Sequence, residues 1–515
     1  MIDTTAAPPG AQRTKPYAWV VLAMLAMIYI FNFLDRQLMS VLIESIKHDP
    51  AFPEPLTDEQ MGWMTGFWFA LVYTVLGVIV GFLADRTSRR NILFVGATLW
   101  SGFTALCGMA TSYPMMLVAR VGVGVGEAAG APPSYSIISD YFPAEKRGLA
   151  LALFSMGVPL GQAAAIAFGA QIDKMFGWRV AFIGIGVAGV IAAILMLLVV
   201  REPKRGAMDP SKLAATANEK SSFGATFWQF ISRPALLWTA MGCGLSAFVG
   251  YAALGWNASF LLRTLHMTRD ELSLWYAIVI GVGIGIGTIA SGAIVDIMSK
   301  RSRVWYALTP LIAMAAAMPF WYLFTQATDW PMGLALLFLP LLLNIFYLAP
   351  ALALVSNSVK PSQRTMSSAI LLMVLNFVGL GGGPTLVGIL STTFAKQKVA
   401  AGMEAAVAGA EGLREAMFWM TPFFFVACAF LALQAMAIHR EVKEGRSISD
   451  GGLRVGIVLL FVGVAGLAAR YILTGPEGMV SGEFMGLLQL VMLLVSTALG
   501  GWLIVGAGKR KPAAA

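Results

Sequence analysis

The chain is divided into fourteen apolar runs, each about the length needed to cross a bilayer, and this limits it to one class of architecture. The runs lie at roughly 17–40, 60–83, 91–111, 114–138, 149–171, 179–200, 235–262, 271–297, 304–325, 331–356, 367–393, 416–438, 453–473 and 482–506. A spanning helix needs about 20 apolar residues at about 1.5 Å rise each. Only 12% of the 515 residues are charged, about half the usual share in a soluble domain. The sequence therefore predicts an all-α polytopic membrane protein. The first run is full length with no small-residue cleavage pattern after it, so no cleaved leader is expected.

Charge then orients the chain. With the N-terminus placed inside, 25 of the 36 Lys and Arg residues fall in inner loops and nine in outer ones. This is the positive-inside asymmetry of an inner membrane protein with both termini cytoplasmic. It also explains the net charge of +9 without nucleic acid, so anionic lipid is the expected partner of the basic loops. Cys107, Cys243 and Cys428 sit singly in apolar runs, and the three His residues are scattered. No metal, cofactor or nucleophile site is expected, and no enzyme.

The costly feature is charge inside the runs. Arg120-Val-Gly-Val-Gly-Val-Gly-Glu127 lies within the fourth run, and Asp35-Arg36 within the first. A charge at the bilayer centre costs at least about 2.5–3.5 kcal/mol and usually marks a pathway or proton relay. Seven residues is close to two turns, so Arg120 and Glu127 share a face about 10 Å apart along the axis. Asp35 is expected beside Arg120 in the outer half of the membrane, with Glu127 two turns deeper. The plainer alternative is a buried ion pair that only fixes helix register. Gly122 and Gly126 form a small-xxx-small face for close packing; they do not fit a dinucleotide fingerprint. The outer loop Lys47–Glu59 reads as a plain acidic connector.

The chain repeats. Gly81-Phe-Leu-Ala-Asp85-Arg-Thr-Ser-Arg89-Arg90 after the second run returns as Gly292-Ala-Ile-Val-Asp296-Ile-Met-Ser-Lys300-Arg301 after the eighth, displaced by 211 residues. Pro143 and Arg147 are echoed by Pro361 and Arg364 with a one-residue slip. Two six-helix halves follow, residues 1–200 and 234–440. A polar linker, 201–233, joins them, in which Phe223–Ile231 reads equally as a segment flat on the cytoplasmic membrane surface or as a simple tether, and an accessory helix pair lies in 441–515. Such internal repeats are typical of secondary transporters.

These loops, the 6+6 plan and Arg120-x-x-x-Gly124-x-Gly126 resemble the major facilitator superfamily. Asn32-Phe-Leu-Asp35-Arg36, Arg120–Ala128, Ser139-Asp-Tyr-Phe-Pro143, Trp178-Arg179 and Arg201-Glu-Pro203 are similar to its spinster branch. The organic-anion:cation symporter branch carries a related fourth helix. The resemblance implies a proton-coupled carrier, monomeric, moving an amphipathic anionic lipid such as a lysophospholipid or a sphingosine-phosphate-like molecule; the alternative is a small organic anion or drug. In that reading Asp35 and Glu127 carry protons and Arg120 binds the head group. Arg36, Asn32, Tyr251, Trp256, Asn257, Asn344, Tyr347 and Asn376 complete the expected substrate surface. Asp85, Arg89, Arg90, Arg147, Asp296 and Arg301 are implied to gate the two halves.

Overall fold

The computed structural model describes residues 16–84, 86–205, 207–208, 223–360 and 363–445. The expected thirteenth and fourteenth runs lie outside the described residues, so the helix count is established only up to 445. Nine helices among the described residues are long and apolar enough to cross a membrane. Helical stretches at 58–84, 89–107 and 113–141 pack in the same bundle beside them.

The first half comprises α1 (Pro16–Val41), α2 (Ile43–Lys47), α3 (Asp58–Thr65), α4 (Phe67–Ala84), α5 (Arg89–Cys107), α6 (Tyr113–Glu127), α7 (Ala131–Tyr141), α8 (Ala144–Ser155), α9 (Gly157–Phe176) and α10 (Trp178–Val199). The linker contributes α11 (Phe223–Ser232), close to the expected surface segment. The second half comprises α12 (Pro234–Arg263), α13 (Arg269–Glu271), α14 (Ala277–Met298), α15 (Trp305–Thr325), α16 (Trp330–Asn344), α17 (Leu348–Ser358), α18 (Arg364–Val374), α19 (Gly383–Ala400), α20 (Ala405–Phe418) and α21 (Thr421–Glu444).

Several passes expected as single helices are interrupted. The fourth breaks at Ala128–Gly130, between α6 and α7. Pro132 and Pro133 follow at the first turn of α7; neither can donate a backbone hydrogen bond to the preceding turn, so the ladder cannot run through. The eleventh is π-helical over Leu375–Gly382, where glycines recur. Such wide turns commonly mark functional positions within helices.

Close packing of α5 and α6 follows from the glycines, as the small-residue spacing implied. A Cβ on Gly122 would sit 2.4 Å from the Phe103 ring, and one on Gly126 would sit 2.4 Å from the Trp100 backbone nitrogen. Helices of each half pack mainly among themselves, as α1 on α9 and α12 on α21. The seam between halves is made by α3 on α19, α4 on the π-helical turn and α9 on α14.

That seam is held at the end bearing residues 42–57. Asp58 joins Lys47 of its own half to Arg263 of the other at 2.9 Å, and Ser391 donates to it at 2.6 Å. Arg269 pairs with Asp173 at 2.9 Å and Lys174 with Asp270 at 2.5 Å. The Thr385 hydroxyl accepts from the Phe67 backbone across the seam at 3.0 Å, and its one proton lies between the Gly381 carbonyl at 2.7 Å and the Gly62 carbonyl at 3.1 Å. The loop expected to be a plain connector thus delivers both Lys47 and Asp58 to the seam.

Candidate functional site

Successive helical residues turn by about 100°, and this separates the neighbours on α1. Asp35 points into the first half, toward Thr104 of α5 and Arg120 of α6. Arg36 points to the seam. Gln37, a further step round, donates to the Leu254 carbonyl of α12 at 3.0 Å and ties the two halves together.

Glu127 ends α6 at the break, so its carboxylate is held at a helix terminus. Its partner is Arg36, which donates to Oε2 from Nε at 3.0 Å and from Nη2 at 2.5 Å. The expected pairing of Asp35 with Arg120 is therefore corrected: the two face each other, but no hydrogen bond among the described residues closes the pair, and the arginine that engages a carboxylate is Arg36, on Glu127. The cause is the rotation along α1, which aims Arg36 at the break. The guanidinium is also boxed by the rings of Phe33, Phe69 and Tyr73, at 5.0, 5.2 and 4.9 Å. Cation–π contacts of this kind become stronger as water is removed. Tyr251 of α12 faces the same guanidinium from the other half.

What is left without partners is as telling. Glu127 Oε1 and both oxygens of Asp35 are buried with no hydrogen-bond partner among the described residues. So are Nε and Nη1 of Arg120, whose guanidinium lies 5.3 Å from the Phe69 ring centre. Asp35, Arg120 and Glu127 are each at most 1% exposed. Asn32, one turn before Asp35 and Arg36, is buried with its amide nitrogen unpartnered, beside Gly130 at the break. Buried charges are normally paired because stranding one costs several kcal/mol.

A cavity of about 70 Å³ opens beside this cluster. Its walls include Phe33 and Gln162 from the first half and Tyr251, Asn344 and Tyr347 from the second, with Leu337, Leu341 and Phe424 supplying apolar surface. Three of the expected substrate residues are thus brought together. Asn344 also donates to the Ser246 carbonyl at 3.1 Å, which fixes its amide.

Trp256 and Asn257 are placed elsewhere, which corrects their expected position at the cavity. Both are fully buried outside its lining; Trp256 Nε1 donates to the Pro384 carbonyl at 2.9 Å, and Asn257 faces Tyr276. Asn376 lies half-buried on the π-helical turn, also outside that lining.

The gating residues divide. Asp85 lies outside the described residues. Arg89 is bound within the first half, to Asp140 of α7 at 2.5 Å, Glu202 at the linker start at 2.8 Å, and Ser136 at 2.7 Å. The Arg90 backbone donates to Glu202 at 2.8 Å, and Arg147 donates to the Ser139 carbonyl at 2.8 Å. Each of these contacts lies within the first half or ties it to the start of the linker rather than joining the two halves. Asp296 and Arg301 are exposed.

Sequence reasoning missed the aromatic box of Arg36, Gln162, and the Asp58 cluster. Gln162 carried a signal, as an amide inside an apolar run next to Gly161. The aromatic residues carried none beyond their one-turn spacing from other apolar positions.

Comparison with known proteins agrees with this architecture. The family model described as Major Facilitator Superfamily matches residues 25–384. An MFS-type efflux pump of Mycolicibacterium smegmatis is 30% identical over 390 residues, covering 76% of this chain and 87% of the pump. Protein spinster homolog 1 of Xenopus tropicalis is 25% identical over 398 residues, covering 73% of this chain and 74% of that protein. The crystal structure of a bacterial homolog to the human lysosomal transporter spinster, inward-facing and unoccupied, superposes with a TM-score of 0.74 at 28% identity. It covers 83% of this chain and 99% of that one. A multi-pass bundle with buried charge at the seam of two helical groups, and relatives of this kind, have one meaning: the chain is a membrane transporter, not an enzyme, and belongs to the Major Facilitator Superfamily.

Proposed function

We propose that this transporter is proton-coupled, works by alternating access between its two halves, and carries an amphipathic anionic lipid. The observation that carries the reading is the Arg36–Glu127 pair at the seam, with Glu127 Oε1, both Asp35 oxygens and Nε and Nη1 of Arg120 buried around it without a hydrogen-bond partner among the described residues. An anionic head group drawn to Arg36 or Arg120 competes with Glu127 for positive charge. A carboxylate that loses its cation in an apolar interior is costly unless it takes a proton. Substrate arrival and proton uptake are then linked through Glu127, and Asp35 beside Arg120 is the second proton site. The apolar wall of Leu337, Leu341 and Phe424 suits an acyl tail. With the basic loops read as cytoplasmic, the end bearing residues 42–57 is the outer one.

The test is transport in proteoliposomes under an imposed pH gradient. Glu127→Gln and Asp35→Asn are expected to lose gradient-driven flux while still binding substrate. Parental flux in both variants sinks the coupling role. The efflux-pump relative favours one second reading, a small anion or drug as substrate. A series of ligands with increasing acyl length separates the two: affinity that rises with length supports lipid, and indifference supports the small anion.

A further inference from the structure

A second pocket lies at the closed end of the seam, away from the central cluster, and we propose that it binds a phosphate-type anion and thereby holds the transporter closed on that face. The pocket measures about 440 Å³ and is built by both halves. Lys47 and Asp58 come from the first half, and Arg263, Lys396, Val399 and Gly409 from the second. It therefore exists only while this end is shut.

Its charge is unbalanced toward cations. Asp58 has both oxygens engaged, one by Lys47 and the other by Arg263 and Ser391. Glu44 stands behind Arg263 at 3.5 Å. Lys47 and Arg263 thus answer these two carboxylates, and Lys396 brings a third cation to the lining. Donors remain to be used: Arg263 Nε is buried with no acceptor among the described residues, Glu44 Oε1 being near Arg263 but not hydrogen-bonded, and the exposed Lys396 ammonium reaches none of the described acceptors. A tetrahedral oxyanion takes hydrogen bonds from several directions at once, and charge-assisted bonds are the strong ones. Gly409 keeps the floor open, since a Cβ there would lie 3.8 Å from Arg263 Nη1. The anion can come free from the outer phase or on the head of an outer-leaflet lipid; the chemistry is the same. The proposal is independent of what the central site carries.

A ligand that binds one conformation alone shifts the equilibrium by the factor 1 + [L]/Kd. The experiment uses the full chain in nanodiscs, with nitroxide labels at Met175→Cys and Met403→Cys reporting separation at this end. Inorganic phosphate at ten times its apparent Kd is expected to raise the closed-to-open ratio about tenfold over sodium chloride at matched ionic strength. Lys396→Gln is expected to weaken the apparent affinity for phosphate about tenfold, the scale of one charge-assisted hydrogen bond. Gly409→Glu, which supplies a tethered carboxylate, is expected to favour the closed state without phosphate. An undiminished response in Lys396→Gln, or an equal response to chloride, overturns the proposal. Phosphatidylglycerol discs compared with phosphatidylcholine discs identify the source. A shift in the former without free phosphate assigns a lipid head group, a shift with free phosphate alone assigns a soluble anion, and no shift in any arm overturns the site.

Discussion

The two inter-helical charge clusters are built from the same residue types and satisfied in opposite ways. At the closed end, both oxygens of Asp58 have partners and the contacts cross from one half to the other. Near the middle, Glu127 uses one oxygen and leaves the other empty, while Asp35 and two nitrogens of Arg120 have no partner. A saturated carboxylate such as Asp58 resists change, because breaking its bonds strands the cations around it, even though Arg263 Nε and Glu44 Oε1 beside it have no hydrogen-bond partner among the described residues. A half-saturated one is already part-way to another arrangement, and a proton or an anionic group completes it. The first therefore acts as a clasp and the second as a switch.

Replacing Glu127 with Ala should expose that difference most. It strands Arg36 among aromatic rings and is expected to cost about 3–5 kcal/mol, read as a fall in melting temperature. Glu127→Gln, which keeps the shape and a hydrogen bond, should lose much less; equal losses would mean that the charge of the pair is irrelevant to stability.

Asp58→Asn should open the clasp. Lys47 then loses its carboxylate and Arg263 keeps only the 3.5 Å contact with Glu44 across the seam, and the open-to-closed ratio at this end is expected to rise by about tenfold. Distance measurements between outer labels read it, and an unchanged distribution would transfer the clasp to Arg269 and Thr385.

The pH response should separate the clusters. Burial favours the neutral acid at Asp58, but Arg263 and Lys47 outweigh it and hold the carboxyl well below the usual carboxylate range. A depressed group stabilises its state above the free carboxylate value of about 3.9 and loses that contribution as pH falls toward its own lower value. Closure should thus be constant from pH 8 to about 5 and weaken only in stronger acid. Weakening near neutrality would contradict the saturated description.

Gly126→Ala tests the packing that supports the switch. The added methyl meets the Trp100 backbone, and overpacking of this kind costs about 1–3 kcal/mol. At the exposed Lys174–Asp270 contact, Lys174→Ala should leave closure unchanged.

The sequence revealed the bundle because apolar runs of spanning length leave few alternatives, and it exposed Asp35, Arg120 and Glu127 because charge in such runs is costly. It did not reveal which arginine meets Glu127. That depends on the angular step between Asp35 and Arg36 and on the break before Pro132, a three-dimensional outcome of two separate helices. Asp58 was hidden for another reason. Its partner Arg263 is 205 residues away, and an acid in a loop carries no sign of a distant mate. Trp256 and Asn257 misled because a polar or aromatic residue in an apolar run looks the same whether it faces a cavity or a neighbouring helix.

The break after Glu127 has an electrostatic consequence of its own. The last carbonyls of a helix carry a partial negative charge of about half an electron, and α6 ends on an acid. Arg36 therefore sits on an acid at the negative end of a helix, although the Gly124, Gly126 and Glu127 carbonyls are taken by the backbone of the break. A substrate that draws Arg36 away uncovers both. The broken helix would then amplify the signal of an arriving anion, so restoring a continuous helix through 128–130 should blunt the carrier's response to substrate even with every charged residue in place.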